Sequence, residues 1–121
     1  MNILLVDDDA VIREMLAMAL TEAGHNVVMA ENGKIAIQKI HAERFDLIIT
    51  DIIMPEKEGI ETIMAARKLL PDLRIIAISG RGSVYNLDPL EIASQIGAHA
   101  TLEKPFAPET LLKKIKEITG G

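Results

Sequence analysis

The sequence predicts an α/β fold, a five-stranded parallel sheet held between two layers of helices. Three observations predict it. Short apolar runs alternate with stretches whose apolar residues recur every three or four positions, the spacing of one helix face. The apolar runs show no alternation with polar residues, so nearly every strand is expected to be covered on both faces. Polar residues collect just after the runs, at what would be the carboxyl ends of the strands.

Ile3 to Val6 forms the first run. Ile12, Met15, Leu16, Ala19, Leu20 and Ala23 then trace a helix face, and Gly24 stands where a helix end favours glycine. Asp9, just ahead of this pattern, is read as the helix N-cap. Val27 to Ala30 is the second strand, and Asn32-Gly33 turns the chain into a short helix carrying Ile37 and Ile40. Leu47 to Thr50 is the third strand, ending at Asp51. A helix with Ile60, Ile63 and Met64 on one side must stop near Pro71. Arg74 to Ser79 is the fourth strand. Leu90, Ala93 and Ile96 mark a fourth helix closed by Gly97. A short strand near Ala100 to Leu102 precedes Lys104-Pro105, and Pro108 opens the last helix, with Leu111, Ile115 and Ile118 along one face.

A chain of 121 residues suits one compact domain, read as 1–119, with 120–121 as a tail or linker remnant. Hydrophobic residues are 49% of the chain and aromatics 2%, so the core must be aliphatic, with the methionines as filler. The absence of cysteine excludes disulfides and thiolate metal sites. A net charge of −5 disfavours binding to nucleic acid. No segment is apolar over a membrane-spanning length, and the start of the chain lacks the features of a signal peptide, so a cytoplasmic location is expected.

Asp7, Asp8 and Asp9 follow the first strand, Asp51 ends the third, Ser79 ends the fourth and Lys104 follows the fifth. The fold would bring them to one edge of the sheet. Two carboxylates ~5 Å apart at an effective dielectric of ~20 repel by about 3 kcal/mol, so such a cluster needs cations. Lys104 supplies one. Carboxylates and water are what Mg²⁺ prefers, and the lack of histidine at this edge argues against zinc. Three uses fit the pattern: a metal site alone, a site for a phosphate ester, or an aspartate nucleophile toward phosphorus with metal and lysine neutralising the transferred group.

Val6-Asp7-Asp8, Asp51-Ile52-Ile53-Met54-Pro55 with Gly59 beyond, Ser79-Gly80 and Lys104-Pro105-Phe106 together resemble the signature of response-regulator receiver domains. The resemblance runs from Ile3 to about Ile118. It implies a flavodoxin-like (βα)5 three-layer sandwich with strand order 2-1-3-4-5, the order of the chemotaxis receiver. It implies that Asp51 is the phosphoacceptor, that Asp8 and Asp51 bind Mg²⁺ directly with the backbone carbonyl of Ile53, and that Asp7 acts largely through metal-bound water. Ser79 would offer its hydroxyl to a phosphoryl oxygen, and Lys104 would pair with the phosphoryl group, the Lys104-Pro105 bond being cis. The implied donor is a phosphohistidine on a histidine kinase or a histidine phosphotransfer protein. A downstream protein partner would read the fourth helix, fifth strand and fifth helix, with neither nucleic acid nor membrane engaged by this domain.

The chain departs from the family pattern in places. Thr101 stands where the family usually carries Tyr or Phe, three residues before the lysine. The stretch from Ser79 to Lys104 is a few residues longer than usual, the excess falling in 81–86. Arg81 and Ile53 flank the expected path of water to the phosphoryl group. Tyr85, in the long loop, is expected to act in a lid that replaces the aromatic switch. Three other readings fit less well. A flavin binder needs a phosphate loop where this chain has aspartates. Aspartyl phosphatases place the nucleophile after the first strand. A degenerate receiver would not keep Asp7, Asp8, Asp51, Ser79 and Lys104 intact.

Overall fold

The computed structural model describes residues 1–52, 58–80 and 97–120, without the Glu58 side chain. In order, these form β1 (Asn2–Val6), α1 (Ala10–Glu22), β2 (Asn26–Ala30), α2 (Gly33–Ala42), β3 (Leu47–Asp51), α3 (Glu58–Leu69), β4 (Arg74–Ser79), β5 (Ala100–Glu103) and α4 (Pro108–Thr119). The helix expected through Leu90, Ala93 and Ile96 lies outside the described residues, as does the loop bearing Tyr85. The final helix is therefore α4 here.

All strand pairings are parallel, and the order is β2-β1-β3-β4-β5. From β1 the chain leaves to one side for β2 and returns to the other for β3. The order thus reverses between β1 and β3, and a crevice opens there above the strand ends.

The central strands explain why their sequences lack alternation. Ile3 and Leu5 point into one apolar layer with Leu47, Ile49, Ile76 and Ile78, against Leu16 and Leu20 of α1 and Leu111 and Ile115 of α4. Leu4 and Val6 point the other way, with Ile48, Ile75 and Ala77, against Ala36 and Ile40 of α2 and Ile63 and Ala66 of α3. Burying one such aliphatic side chain contributes roughly 1.5–3 kcal/mol, so two aliphatic layers hold the sheet without aromatic help. Double coverage fails at an edge. β2 has only Ala30 buried, and Met29 is exposed.

Met1 packs against the core as expected, and Met54 lies outside the described residues, but the other four methionines correct the expectation of core filler. Met15, Met18, Met29 and Met64 are exposed. Leu16 and Ile63 take the inward positions, and a residue one step away on a helix is turned by about 100°. Met15 and Met64 are each one step away.

The helix ends follow the local chemistry of the sequence. Asp9 caps α1, accepting from the backbone N–H of Val11 at 3.0 Å and of Ile12 at 3.3 Å. Asn32 caps α2 by accepting from Ile35 N–H at 2.9 Å. Gly24, just past α1, has φ +95°, a conformation that favours glycine. Pro108 opens α4, and Gly120 closes it with its N–H donating to the Lys116 carbonyl. Loss of the Asp9 cap has a modest expected effect. Asp9→Ala should lower the unfolding free energy by about 1 kcal/mol in urea titration, and an unchanged midpoint would contradict the cap. Among the described residues, no helix is long and apolar enough to cross a membrane.

Candidate functional site

β1 ends at Val6, and the chain turns at once into α1. That turn puts Asp7 and Asp8 at the mouth of the crevice, while Asp51 is the last residue of β3 across from it. Carboxylate oxygens of Asp7, Asp8 and Asp51 lie within 4.8 Å of one another. Asp7 and Asp51 are almost fully buried, and Asp8 is exposed. Asp9, spent on the helix cap, is not part of this cluster.

Lys104 follows β5, and its peptide bond to Pro105 is cis, as expected from the resemblance. The Lys104 N–H donates to the Ser79 carbonyl at 2.7 Å, which ties the turn after β5 to the end of β4. The ammonium reaches back over the sheet edge. Its Nζ donates to Asp51 Oδ2 at 2.7 Å and to Asp7 Oδ2 at 2.9 Å. One cation thus bridges two buried carboxylates, one just after β1 and the other at the end of β3. Burial is the largest single influence on the Lys104 pKa and would lower it. The hydrogen bonds that the ammonium donates to Asp51 and Asp7, with the negative charges of these two groups, together outweigh burial, and the net shift is upward. Lysine is therefore charged here throughout the neutral range.

Three carboxylates beside a single lysine leave negative charge in excess of what Lys104 neutralises. Donors that are all carboxylate oxygens, crowded so closely, suit a hard divalent cation. Ser79 ends β4 and is buried. The register sets Asp51 beside Ile78, so Ser79 stands one residue beyond Asp51 at the same sheet edge. Ile53, expected to offer a backbone carbonyl, lies outside the described residues, as does Arg81.

Gly59 has a physical reason for its place in the motif. A Cβ there would collide with the Asp51 carbonyl oxygen and lie 2.5 Å from the Ile52 Cα. Only glycine lets α3 start so close to the end of β3. One contact had no counterpart in the sequence reading. Arg13, in the first turns of α1, donates from its guanidinium to the backbone carbonyl of Asp7 at 2.7 Å. Nothing in the spacing of Arg13 from Asp7 or Asp9 singles it out among the side chains of α1.

Comparison with known proteins identifies the family and agrees with the fold. The family model described as the response regulator receiver domain matches residues 3–116. The response regulator receiver protein CpdR of Brucella abortus is 38% identical over 117 residues, which are 97% of this chain and 95% of CpdR. The response regulator MprA of Mycolicibacterium vanbaalenii is 35% identical, but the chain spans only 49% of its length. A CheY-like receiver domain protein from Methanospirillum hungatei superposes with a TM-score of 0.86 at 35% identity, covering 96% of this chain and 90% of the other. A response regulator from Burkholderia pseudomallei, solved with a phosphorylated aspartic acid, a calcium ion and citrate, superposes with a TM-score of 0.81. It is 32% identical, and the match covers 92% of this chain and 64% of that one. The chain belongs to the response regulator receiver domains, the signalling domains of two-component systems.

Proposed function

We propose that the chain accepts a phosphoryl group on Asp51 from a phosphohistidine, on a histidine kinase or a histidine phosphotransfer protein, in a Mg²⁺-dependent reaction. The observation that carries this reading is the bridge from Lys104 to Asp51 and Asp7 beside a three-carboxylate cluster. In the proposed reaction an Asp51 carboxylate oxygen attacks phosphorus, the phosphorus–nitrogen bond to the donor imidazole breaks, and an acyl phosphate forms. Asp7, Asp8, Asp51 and the Ile53 carbonyl would hold Mg²⁺, which when bound would supply positive charge against the transferred group. Lys104 already lies at the Asp51 oxygen, so a small shift lets it pair with a phosphoryl oxygen. The Ser79 hydroxyl donates to another. The related Burkholderia structure with a phosphorylated aspartic acid and a calcium ion supports the same chemistry.

The domain spans 1–119 in this reading and works in the cytoplasm. It catalyses only its own phosphorylation and dephosphorylation. Phosphorylation favours a second arrangement of β5, α4 and the helix expected from the sequence around 90–96, which a downstream protein partner reads. Thr101, half-buried on β5 beside Ala77, replaces the aromatic side chain usual at that position, so the shift is transmitted without one.

Incubation with acetyl phosphate and Mg²⁺ tests the reading. Intact-mass spectrometry should show one added phosphoryl group on the wild type and none on Asp51→Asn. Beryllofluoride with Mg²⁺ should change the amide NMR spectrum of the wild type alone. An unmodified wild type that is also silent to beryllofluoride sinks the proposal, and so does labelling that survives in Asp51→Asn.

A further inference from the structure

We propose that Arg13 is a positioning residue for the cation site, acting through the peptide unit that joins Asp7 to Asp8. The inference rests on the proposed function, because it concerns the same carboxylates.

Asp7 is held at every polar atom. Its N–H donates to the Ala30 carbonyl at 3.2 Å. One carboxylate oxygen accepts from Asp9 N–H at 2.9 Å, and the other accepts from Lys104. Its carbonyl accepts from Arg13 at 2.7 Å. That carbonyl and the Asp8 N–H belong to one rigid peptide plane. The next plane, between Asp8 and Asp9, is held by Asp9 N–H on the Asp7 carboxylate. Asp8 therefore sits between two anchored planes while its side chain stays exposed. Such an arrangement fixes where the Asp8 carboxylate starts without spending that carboxylate on a protein partner among the described residues.

The guanidinium is always charged, with the same sign as the cation. The two roles open to Arg13 thus have opposite signatures. If Arg13 acted only through its charge, its removal would tighten cation binding. If it orients the two aspartates, its removal weakens binding, and loss of a group that orients metal ligands typically costs 10–100-fold in metal affinity.

The test is calorimetric titration of the full chain with Mg²⁺, with metal-free thermal melting of each variant. Arg13→Ala should weaken Mg²⁺ binding by about tenfold. Arg13→Lys, which keeps the charge and a donor of similar reach, should recover most of the loss. Acetyl phosphate labelling of Arg13→Ala should show a raised Mg²⁺ requirement and a near-normal rate at saturating Mg²⁺. Tighter or unchanged Mg²⁺ binding in Arg13→Ala overturns the proposal, as does a lower melting temperature with no change in affinity. A loss of affinity that Arg13→Lys does not recover overturns it too. A wild type that binds no Mg²⁺ defeats the proposed function and this inference together. A wild type that binds, beside an Arg13→Ala that binds equally well, defeats the inference alone.

Discussion

Lys104→Met is expected to lower the unfolding free energy by about 3 kcal/mol at neutral pH without divalent metal. Removing one partner of a buried ion pair is costly because the other charge stays behind. Here two stay behind, on Asp7 and Asp51, and both are almost fully buried. Methionine keeps the apolar stem, so the loss reports the charge rather than the packing. Lys104 retains 19% exposure, which places the effect at the low end of the range for buried pairs. A surface pair provides the contrast. Lys114 lies 3.5 Å from Glu117 with both side chains well exposed, and Lys114→Met should change stability by less than about 1 kcal/mol.

The same lysine sets an alkaline limit. Its pKa is raised in the folded state, so its stabilisation is complete below the ordinary lysine value of 10.5 and is lost as pH climbs through the higher folded value. The stability difference between wild type and Lys104→Met should therefore be flat from pH 7 to 9 and shrink only above 10.5. Urea midpoints across that range check both statements. A difference that fades near neutrality would mean that Lys104 does not hold the two carboxylates as the structure places it.

Gly59→Ala should cost about 3 kcal/mol, toward the upper end of what an overpacked site loses. Two effects compete. Alanine is the better helix former by about 1 kcal/mol, and Gly59 lies within α3, so propensity alone predicts a gain. The added methyl, however, meets the backbone of Asp51 and Ile52, which cannot rotate away as a side-chain tip can. Either α3 lifts off β3 or the end of β3 shifts, and Asp51 sits at that end. A lowered urea midpoint together with slowed labelling by acetyl phosphate is the expected result. A midpoint equal to or above that of the wild type would show that α3 accommodates the methyl at no cost.

Much of this was legible before any coordinates. Doubly buried strands announce themselves as unbroken apolar runs, and β1, β3 and β4 are such runs. The acidic turn, Asp51 and Lys104 were legible as a group because a parallel sheet delivers strand ends to one edge. The edges were harder. Val27 to Met29 reads as apolar as any central strand, but β2 has a neighbour on one side only, so its burial depends on what lies beside it. The methionines failed for a related reason. An apolar residue one step off the inward stripe is indistinguishable from one on it until the sheet beneath is placed. Arg13 escaped because a long side chain has many rotamers, and composition says nothing about which of them bends back to a carbonyl.

Strand alignment gives the polar edge a second meaning. Sliding a strand by one residue exchanges the faces of all its side chains. In most sheets that error is punished by polar groups entering the core, but Ile3-Leu4-Leu5-Val6, Leu47-Ile48-Ile49 and Ile75-Ile76-Ala77-Ile78 would exchange one aliphatic side chain for another. What breaks the degeneracy is the last residue of each run. A slip would drag Asp7, Asp51 or Ser79 down between the layers or push an isoleucine out into the acidic crevice. The residues read here as chemical groups also serve as the stops that tell each strand where to end, so a substitution that makes the crevice apolar removes a marker of register along with a function.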